Sequence, residues 1–327
     1  MQDLVTVFGG SGFIGGQVVR ALVREGVRVR VAVRQPHLAG VQRLHGDVGQ
    51  VDIVQANVRN EPSIRRALDG ASAVVNLVGL LYEHGRQKFQ SVHVMGAQNV
   101  AGVARELGIT RLVQMSALGA DTNSPAKYAR TKADGETAVR AINPAAVVIR
   151  PSIVFGPEDD FFNRFGAMAA MSPALPLIGG GKTRMQPVFV GDVAKAIART
   201  VIDPACAGKT YELGGPGVFT FKELMQLVLA ETGRRRLLLP LPFAAAGLIG
   251  SVGDLVASLT AFPPPLTTDQ VELLRADNVV SAGALGLADL GIAPTSLEAV
   301  LETYLYPYRR GGQYGDGAKV TAVVSAG

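Results

Sequence analysis

The sequence predicts an α/β fold: a doubly wound parallel sheet with a smaller, mostly helical C-terminal lobe. Three observations predict it. Short, continuously apolar runs alternate with helix-length segments up to about residue 150, the pattern of parallel strands covered by helices on both faces. The first apolar run leads straight into a glycine-rich turn and then into helical periodicity. Regularity falls after Pro151, where glycines and prolines gather at 172–183, 214–217 and 262–265. These shifts divide the chain into residues 1–155, a C-terminal lobe over 156–307, and a tail over 308–327. Segments near 186–201 are expected to return to the sheet.

Leu4–Phe8 is the first strand. Gly9-Gly10-Ser11-Gly12-Phe13-Ile14-Gly15 follows as a Gly-x-x-Gly-x-x-Gly turn into a helix. Gly9 can take the backbone angles of a tight turn. Gly12 lets a pyrophosphate approach the backbone, and Gly15 lets the helix pack closely. The helix start offers unpaired N–H groups and a positive dipole end to phosphates. In strand–turn–helix context this is the Rossmann-type dinucleotide-binding arrangement. Ile14, Val18 and Leu22 keep helical spacing, and Gly26 closes the helix.

Arg28–Val33 is the second strand and ends at Arg34. An NAD site commonly carries an acidic residue there, on the ribose 2′-hydroxyl. A guanidinium can pair with a 2′-phosphate instead, which favours NADPH over NADH. Later strands are read at Val51–Ala56, Ala73–Val78, Arg111–Ser116 and Ala146–Arg150. Helices are read at Ser63–Leu68, Phe89–Leu107 and Pro125–Ile142.

The composition narrows the function classes. Of 327 residues, 48% are hydrophobic, which describes a globular chain. Net charge is +5 with no Trp, and basic residues are scattered apart from Arg234-Arg235-Arg236. No nucleic-acid surface with stacking aromatics is expected. A moderately basic chain suits an anionic cofactor, membrane surface or acidic partner. Cys206 is the lone cysteine, so no internal disulfide forms, which suits a reducing compartment. The four histidines lack metal-ligand spacing, so no metal site is expected. No signal peptide and no transmembrane helix are expected, since no proline-free run of about 20 apolar residues occurs.

From Leu237 to Thr268 the only charged residue is Asp254. Leu248, Val252, Leu255 and Leu259 follow helical spacing, joined by Ile249 and Val256, opposite a face of small residues. This segment is either a helix buried in the second lobe or a greasy surface docked on a membrane or another subunit. The missing basic residues argue against a typical membrane-surface helix, and Arg234–Arg236 partly restores that case. The glycine-rich tail after Tyr308 is expected to be mobile in isolation.

Tyr128 and Lys132 form a Tyr-x-x-x-Lys pair on one helix face. A lysine cation beside the phenol is expected to lower its pKa, so that it exchanges a proton near neutral pH. Lys132 would also reach a nicotinamide ribose. Ser116 ends the fifth strand at the ligand-binding edge, where it could orient a carbonyl.

With these residues in place, the chain resembles the extended short-chain dehydrogenase/reductases over about residues 3 to 305. The resemblance rests on Gly9–Gly15, Asn57-Val58, Asn76-Leu77-Val78-Gly79, the run from His93 to Asn99, Ser116, Tyr128 with Lys132, Arg150-Pro151-Ser152-Ile153-Val154-Phe155-Gly156-Pro157, and 189–193. It implies cofactor contacts from Gly9, Gly12, Phe13, Ile14, Gly15, Arg34, Asn57, Val58, Leu77, Val78, Gly79, Ser116, Tyr128, Lys132, Pro151 and Ile153. More narrowly, the segments 78–83, 156–165 and 177–184 resemble the nucleotide-binding accessory subunits of respiratory complex I (NADH:ubiquinone oxidoreductase), in their bacterial form. That resemblance implies a tightly held NADPH and no established turnover. It also implies neighbouring complex I subunits as partners, and a peripheral place near the quinone region on the cytoplasmic side of the inner (plasma) membrane.

Departures from the enzymes are also legible. Active sugar-nucleotide epimerases usually carry Asn where His93 stands and a second hydroxyl where Ala117 stands, and their connection from serine to tyrosine is longer. Tyr128 and Lys132 are then ribose anchors, with the Ser116/Tyr128/Lys132 chemistry vestigial. A free NADPH-dependent reductase or epimerase using those three residues, and an NADPH-binding redox sensor, are the competing readings.

Overall fold

The computed structural model describes residues 3–259, 264 and 266–314. The glycine-rich end of the tail, 315–327, and residues 260–263 and 265 of the low-charge segment lie outside the described residues. The first half alternates strand and helix: β1 Leu4–Phe8, α1 Phe13–Arg24, β2 Arg28–Val33, β3 Val51–Gln55, α2 Glu61–Leu68, β4 Ala73–Asn76, α3 Met95–Glu106, β5 Arg111–Met115, α4 Lys127–Ile142 and β6 Val147–Pro151. The second half is less regular: β7 Val154–Phe155, α5 Asp160–Met171, β8 Ala174–Ile178, β9 Arg184–Met185, β10 Val188–Phe189, α6 Val190–Ile202, β11 Thr210–Leu213, β12 Phe219–Thr220, α7 Phe221–Glu231, β13 Leu237–Leu241, α8 Phe243–Leu259, α9 Thr268–Leu273 and α10 Glu298–Leu305.

The main sheet is parallel throughout, in the order β11-β6-β5-β4-β1-β2-β3. Alternation along each strand feeds two cores. Val5, Val7, Val29 and Val31 pack with α1 and α6 on one face. Phe8, Val74 and Leu112 pack with α2, α3 and α4 on the other. Thr6 also points to that second face, where its hydroxyl donates to Ala67 O at 2.8 Å, so the buried polar group is satisfied. The chain leaves β1 toward β2 and β3, then returns to β4 on the other side. That reversal opens a crevice at the carboxyl ends of β1 and β4.

The expected return of 186–201 to the sheet is corrected in kind. Val190, Val193, Ala194, Ile197 and Val201 are buried at helical spacing on α6, which covers the sheet. The returning strand is β11, which pairs with β6. Arg150 on β6 ties these layers together. It binds Glu136 of α4 through two hydrogen bonds of 2.9 and 2.7 Å, and lies 3.5 Å from Glu212 of β11.

Beyond β7 a third core gathers Phe162, Leu175, Phe221, Leu224, Leu301 and Leu305 from α5, β8, α7 and α10. Thr220 and Glu223 form a reciprocal cap that starts α7. Two alternatives stood open for the low-charge segment, and α8 shows its orientation. Its small face is inside: Ala246, Gly250, Gly253 and Ala257 are buried. A Cβ on Gly253 would lie 1.9 Å from Leu266 O. Its large side chains face outward, with Leu248 73% and Val252 64% exposed. Leu237 and Leu239 of β13 are exposed as well. No helix among the described residues is long and apolar enough to cross a membrane.

Candidate functional site: a cleft at the sheet reversal

The crevice between β1 and β4 is a cleft of about 290 Å³. Gly9, with φ +80°, turns the chain out of β1, and its N–H donates to Ala32 O at 3.1 Å. A Cβ on Gly15 would lie 2.1 Å from Gly9 O, so only glycine lets α1 start this close to the turn. Gly12 is exposed, and no side chain caps the first turn of α1. The positive end of the helix therefore faces the cleft without an internal acceptor, as phosphate binding requires.

Of the residues expected to hold a cofactor, Gly9, Gly12, Arg34, Asn57, Val58, Leu77, Val78 and Gly79 line this cleft together. Ile14 packs into the core beneath, and Gly15 is buried under the turn. Phe13 turns toward Gly156, where a Cβ would approach its ring to 3.4 Å. Pro151 is buried at the end of β6, and Ile153 packs with the third core. These last five residues shape the surroundings and do not line the cleft.

Arg34 lies at the far end, where its Nη1 donates to Gln87 Oε1 at 2.9 Å. Sequence reading missed a second guanidinium beside it. Arg59 also lines the cleft and donates to Arg86 O at 2.9 Å. The side chain of Asn57 fixes that loop by accepting the Arg59 N–H at 3.0 Å. A basic residue directly after Asn57-Val58 was the available signal.

Ser116, Tyr128 and Lys132 are not among the residues that line the cleft; Lys132 and His93 gather behind Gly79 of its wall, and Tyr128 packs on both. The link is Lys132, whose Nζ would lie 3.1 Å from a Cβ on Gly79. His93 belongs to a five-residue π-helical segment, Gln90–Val94, just before α3, an irregularity that often marks functional sites. Gly135 of α4 packs so tightly there that a Cβ would lie 2.3 Å from His93 O. His93 Nε2 accepts the Leu80 N–H at 2.9 Å, and Nδ1 lies 3.0 Å from Thr131 Oγ1. That pattern assigns the neutral Nδ1–H tautomer, with the imidazole bracing the cleft wall. Its ring stacks on Phe89 and meets Tyr128 edge-on.

The electrostatics correct one sequence expectation. The Tyr128 phenol is not lowered by its lysine neighbour: burial, and then the charge of Asp269, push it up to about 12. Burial pushes Lys132 down to about 8, opposed by the carboxylate of Glu136. Burial and the charge of Lys132 hold His93 down at about 2. Lys132 Nζ sits 5.7 Å from the Tyr128 ring centroid, over its face. Desolvation therefore outweighs the ammonium at this phenol. Asp269 itself was not legible as a site neighbour, because it lies over a hundred residues away in the second lobe.

Four buried side-chain polar atoms among the described residues have no hydrogen-bond partner, and one of them, Ser116 Oγ, follows β5 at the ligand edge. Ser116 is buried, and its Oγ finds no acceptor or donor among the described residues. A buried orphan hydroxyl after β5, on the same sheet edge as the open helix start after β1 and separated from it by β4, fits a nicotinamide dinucleotide laid across that edge.

Comparison with known proteins agrees with this geometry. Residues 5–214 match the NAD dependent epimerase/dehydratase family. The chain is 37% identical over 320 residues to the mitochondrial NADH dehydrogenase (ubiquinone) 1 alpha subcomplex subunit 9 of Arabidopsis thaliana, covering 94% of this chain and 79% of that protein. The corresponding mouse subunit, from Mus musculus, is also 37% identical, over 90% of this chain and 78% of its own length. Among solved structures, the triphenylmethane reductase of Citrobacter sp. superposes with a TM-score of 0.72 at 19% identity, covering 92% of this chain and 99% of that one.

Proposed function

The chain belongs to the NAD dependent epimerase/dehydratase family, in the group of the NADH dehydrogenase (ubiquinone) alpha subcomplex subunit 9, and we propose that it is a non-catalytic, NADPH-holding accessory subunit of a respiratory NADH:ubiquinone oxidoreductase. The observation that carries this reading is the relation to subunit 9 along 94% of the chain. The cleft supports the cofactor part. The start of α1 and the Gly9–Gly12 turn would take the pyrophosphate. Arg34 would take the 2′-phosphate, Ser116 the nicotinamide end, and Tyr128 with Lys132 the nicotinamide ribose. When bound, NADPH supplies a hydride donor and a large anionic ligand joining both ends of the sheet edge.

The geometry favours holding over turnover. A phenol pushed up to about 12 is a poor proton-transfer group at neutral pH. The outward apolar face of α8 supports a docked, peripheral location on the cytoplasmic side of the inner membrane, held mainly by neighbouring subunits. Such faces are rarely left uncovered.

A free NADPH-dependent reductase or epimerase is the second reading, favoured by the presence of Ser116, Tyr128 and Lys132, with Lys132 packed behind Gly79 of the cleft wall. Chromatography of mildly solubilised membranes separates the two. The accessory subunit elutes at high mass with an iron–sulfur flavoprotein that oxidises NADH. A free enzyme elutes near the mass of the chain or a small oligomer of it, and that result would remove the first reading.

A further inference from the structure

We propose that Arg59 is a second specificity residue, forming with Arg34 a two-armed clamp for the 2′-phosphate, and that the turn at 84–87 competes with the phosphate for both arms. The proposal rests on the NADPH reading and extends it to a residue and a segment which that reading leaves unused.

Both guanidinium groups line the same end of the cleft and are exposed to it. Their donors end on adjacent residues: Arg34 on Gln87 Oε1 and Arg59 on Arg86 O, each at 2.9 Å. Those acceptors are neutral. Neither arginine has a carboxylate partner among the described residues, whereas Arg30, Arg65, Arg111, Arg150 and Arg184 each have one. Two cations side by side repel, and amide and carbonyl oxygens offset that only weakly. A phosphate monoester dianion would bridge both with charge-assisted bonds, roughly twice as strong as neutral ones.

The turn is built to be displaced as a unit. His84 and Gln87 exchange main-chain hydrogen bonds of 3.0 and 2.8 Å, with Gly85 at φ +51° between them. A second cavity of about 300 Å³ adjoins it, lined by Arg34, Tyr82, His84 and Gln87. Gln87 can therefore leave Arg34 without unfolding the loop. Asn57 holds the Arg59 backbone in place meanwhile.

Equilibrium binding of 2′,5′-ADP and 5′-AMP to the full chain tests this, since the two probes differ only in the 2′-phosphate. In the wild type, 2′,5′-ADP is expected to bind more tightly. Arg59→Gln is expected to weaken 2′,5′-ADP by about tenfold, the worth of a lost charge-assisted bond. Its affinity for 5′-AMP is expected to stay unchanged, which also reports a folded site. Gln87→Ala removes the competing acceptor and is expected to tighten 2′,5′-ADP alone. If Arg59→Gln leaves the preference for 2′,5′-ADP intact, or weakens both probes equally, the clamp is wrong while the NADPH reading stands. If the wild type does not distinguish the probes, the NADPH reading itself falls, and the clamp with it.

Discussion

Asp269, on the short helix α9 of the second lobe, accepts the main-chain N–H of Tyr128 at 2.9 Å. The other oxygen of the same carboxylate accepts the N–H of Lys127 at 2.6 Å. Ala126, at the cap position of α4, has no side-chain oxygen to offer. The helix carrying Tyr128 and Lys132 is thus capped from another part of the chain. Asp254, the one charge on α8, in turn accepts from the backbone and hydroxyl of Thr268, at the start of α9. A route of hydrogen bonds runs from the outward apolar helix to the nucleotide site.

Asp269→Ala should therefore lower stability by about 1 kcal/mol, the usual worth of a cap. It should also weaken NADPH and NADH by the same factor, because Arg34 is held by Gln87 and not by the α4 cap. Thermal denaturation with and without each nucleotide reads both effects. A changed preference between the two nucleotides would mean that Asp269 acts somewhere other than the α4 cap.

The raised Tyr128 phenol predicts that bound NADPH resists oxidation by aldehydes, ketones and quinones. Its absorbance should decay no faster in the wild type than in Tyr128→Phe. Rapid multiple turnover that vanishes in the variant would make the chain an enzyme.

His93 gives a pH dependence with a definite sign. Its folded pKa is near 2 against an ordinary 6.5, so between these values the unfolded chain binds a proton that the folded chain refuses. Stability is complete above 6.5 and falls with decreasing pH, with a slope approaching about 1.4 kcal/mol per unit. His93→Asn should remove that slope. Denaturant unfolding of both proteins from about pH 7.5 down to about 5 measures the difference, and parallel curves would show that the imidazole is not held neutral.

The outward face of α8 predicts that Leu248→Glu with Val252→Glu leaves the fold and NADPH binding intact but releases the chain from membranes. Both side chains are mostly exposed, so charging them costs little in the isolated chain. Fractionation after mild lysis, together with a thermal midpoint, separates the outcomes. Unfolding would place this face in the core, and unchanged membrane association would assign docking to another surface.

The first six strands were legible within a residue or two because each is a short run rich in β-branched and other apolar residues, set off by turns or helical segments. Arg34 was legible because the end of the second strand is a fixed place in the turn. The strand Thr210–Leu213 was not, since four residues carry little periodicity and a helix pattern lies just before them. The spacing of Tyr128 and Lys132 gave their shared helix face but not the sign of the phenol shift. That sign depends on desolvation and on Asp269, both products of tertiary packing. The segment at 237–268, with Asp254 its one charge, was ambiguous because neither face of its helix carries a polar stripe; only packing decided that the glycines go inside.

A nucleotide that serves as a structural ligand keeps its redox state while the assembled oxidoreductase turns over, and that state, before and after turnover, is the most direct measurement. The assembly is purified from mildly solubilised membranes, driven with NADH and a quinone, then denatured, and the released nucleotide is identified. One equivalent of NADPH per copy of this chain, still reduced after turnover, is the predicted result. Recovery of NADP⁺, of NAD(H), or of no nucleotide at all would contradict it.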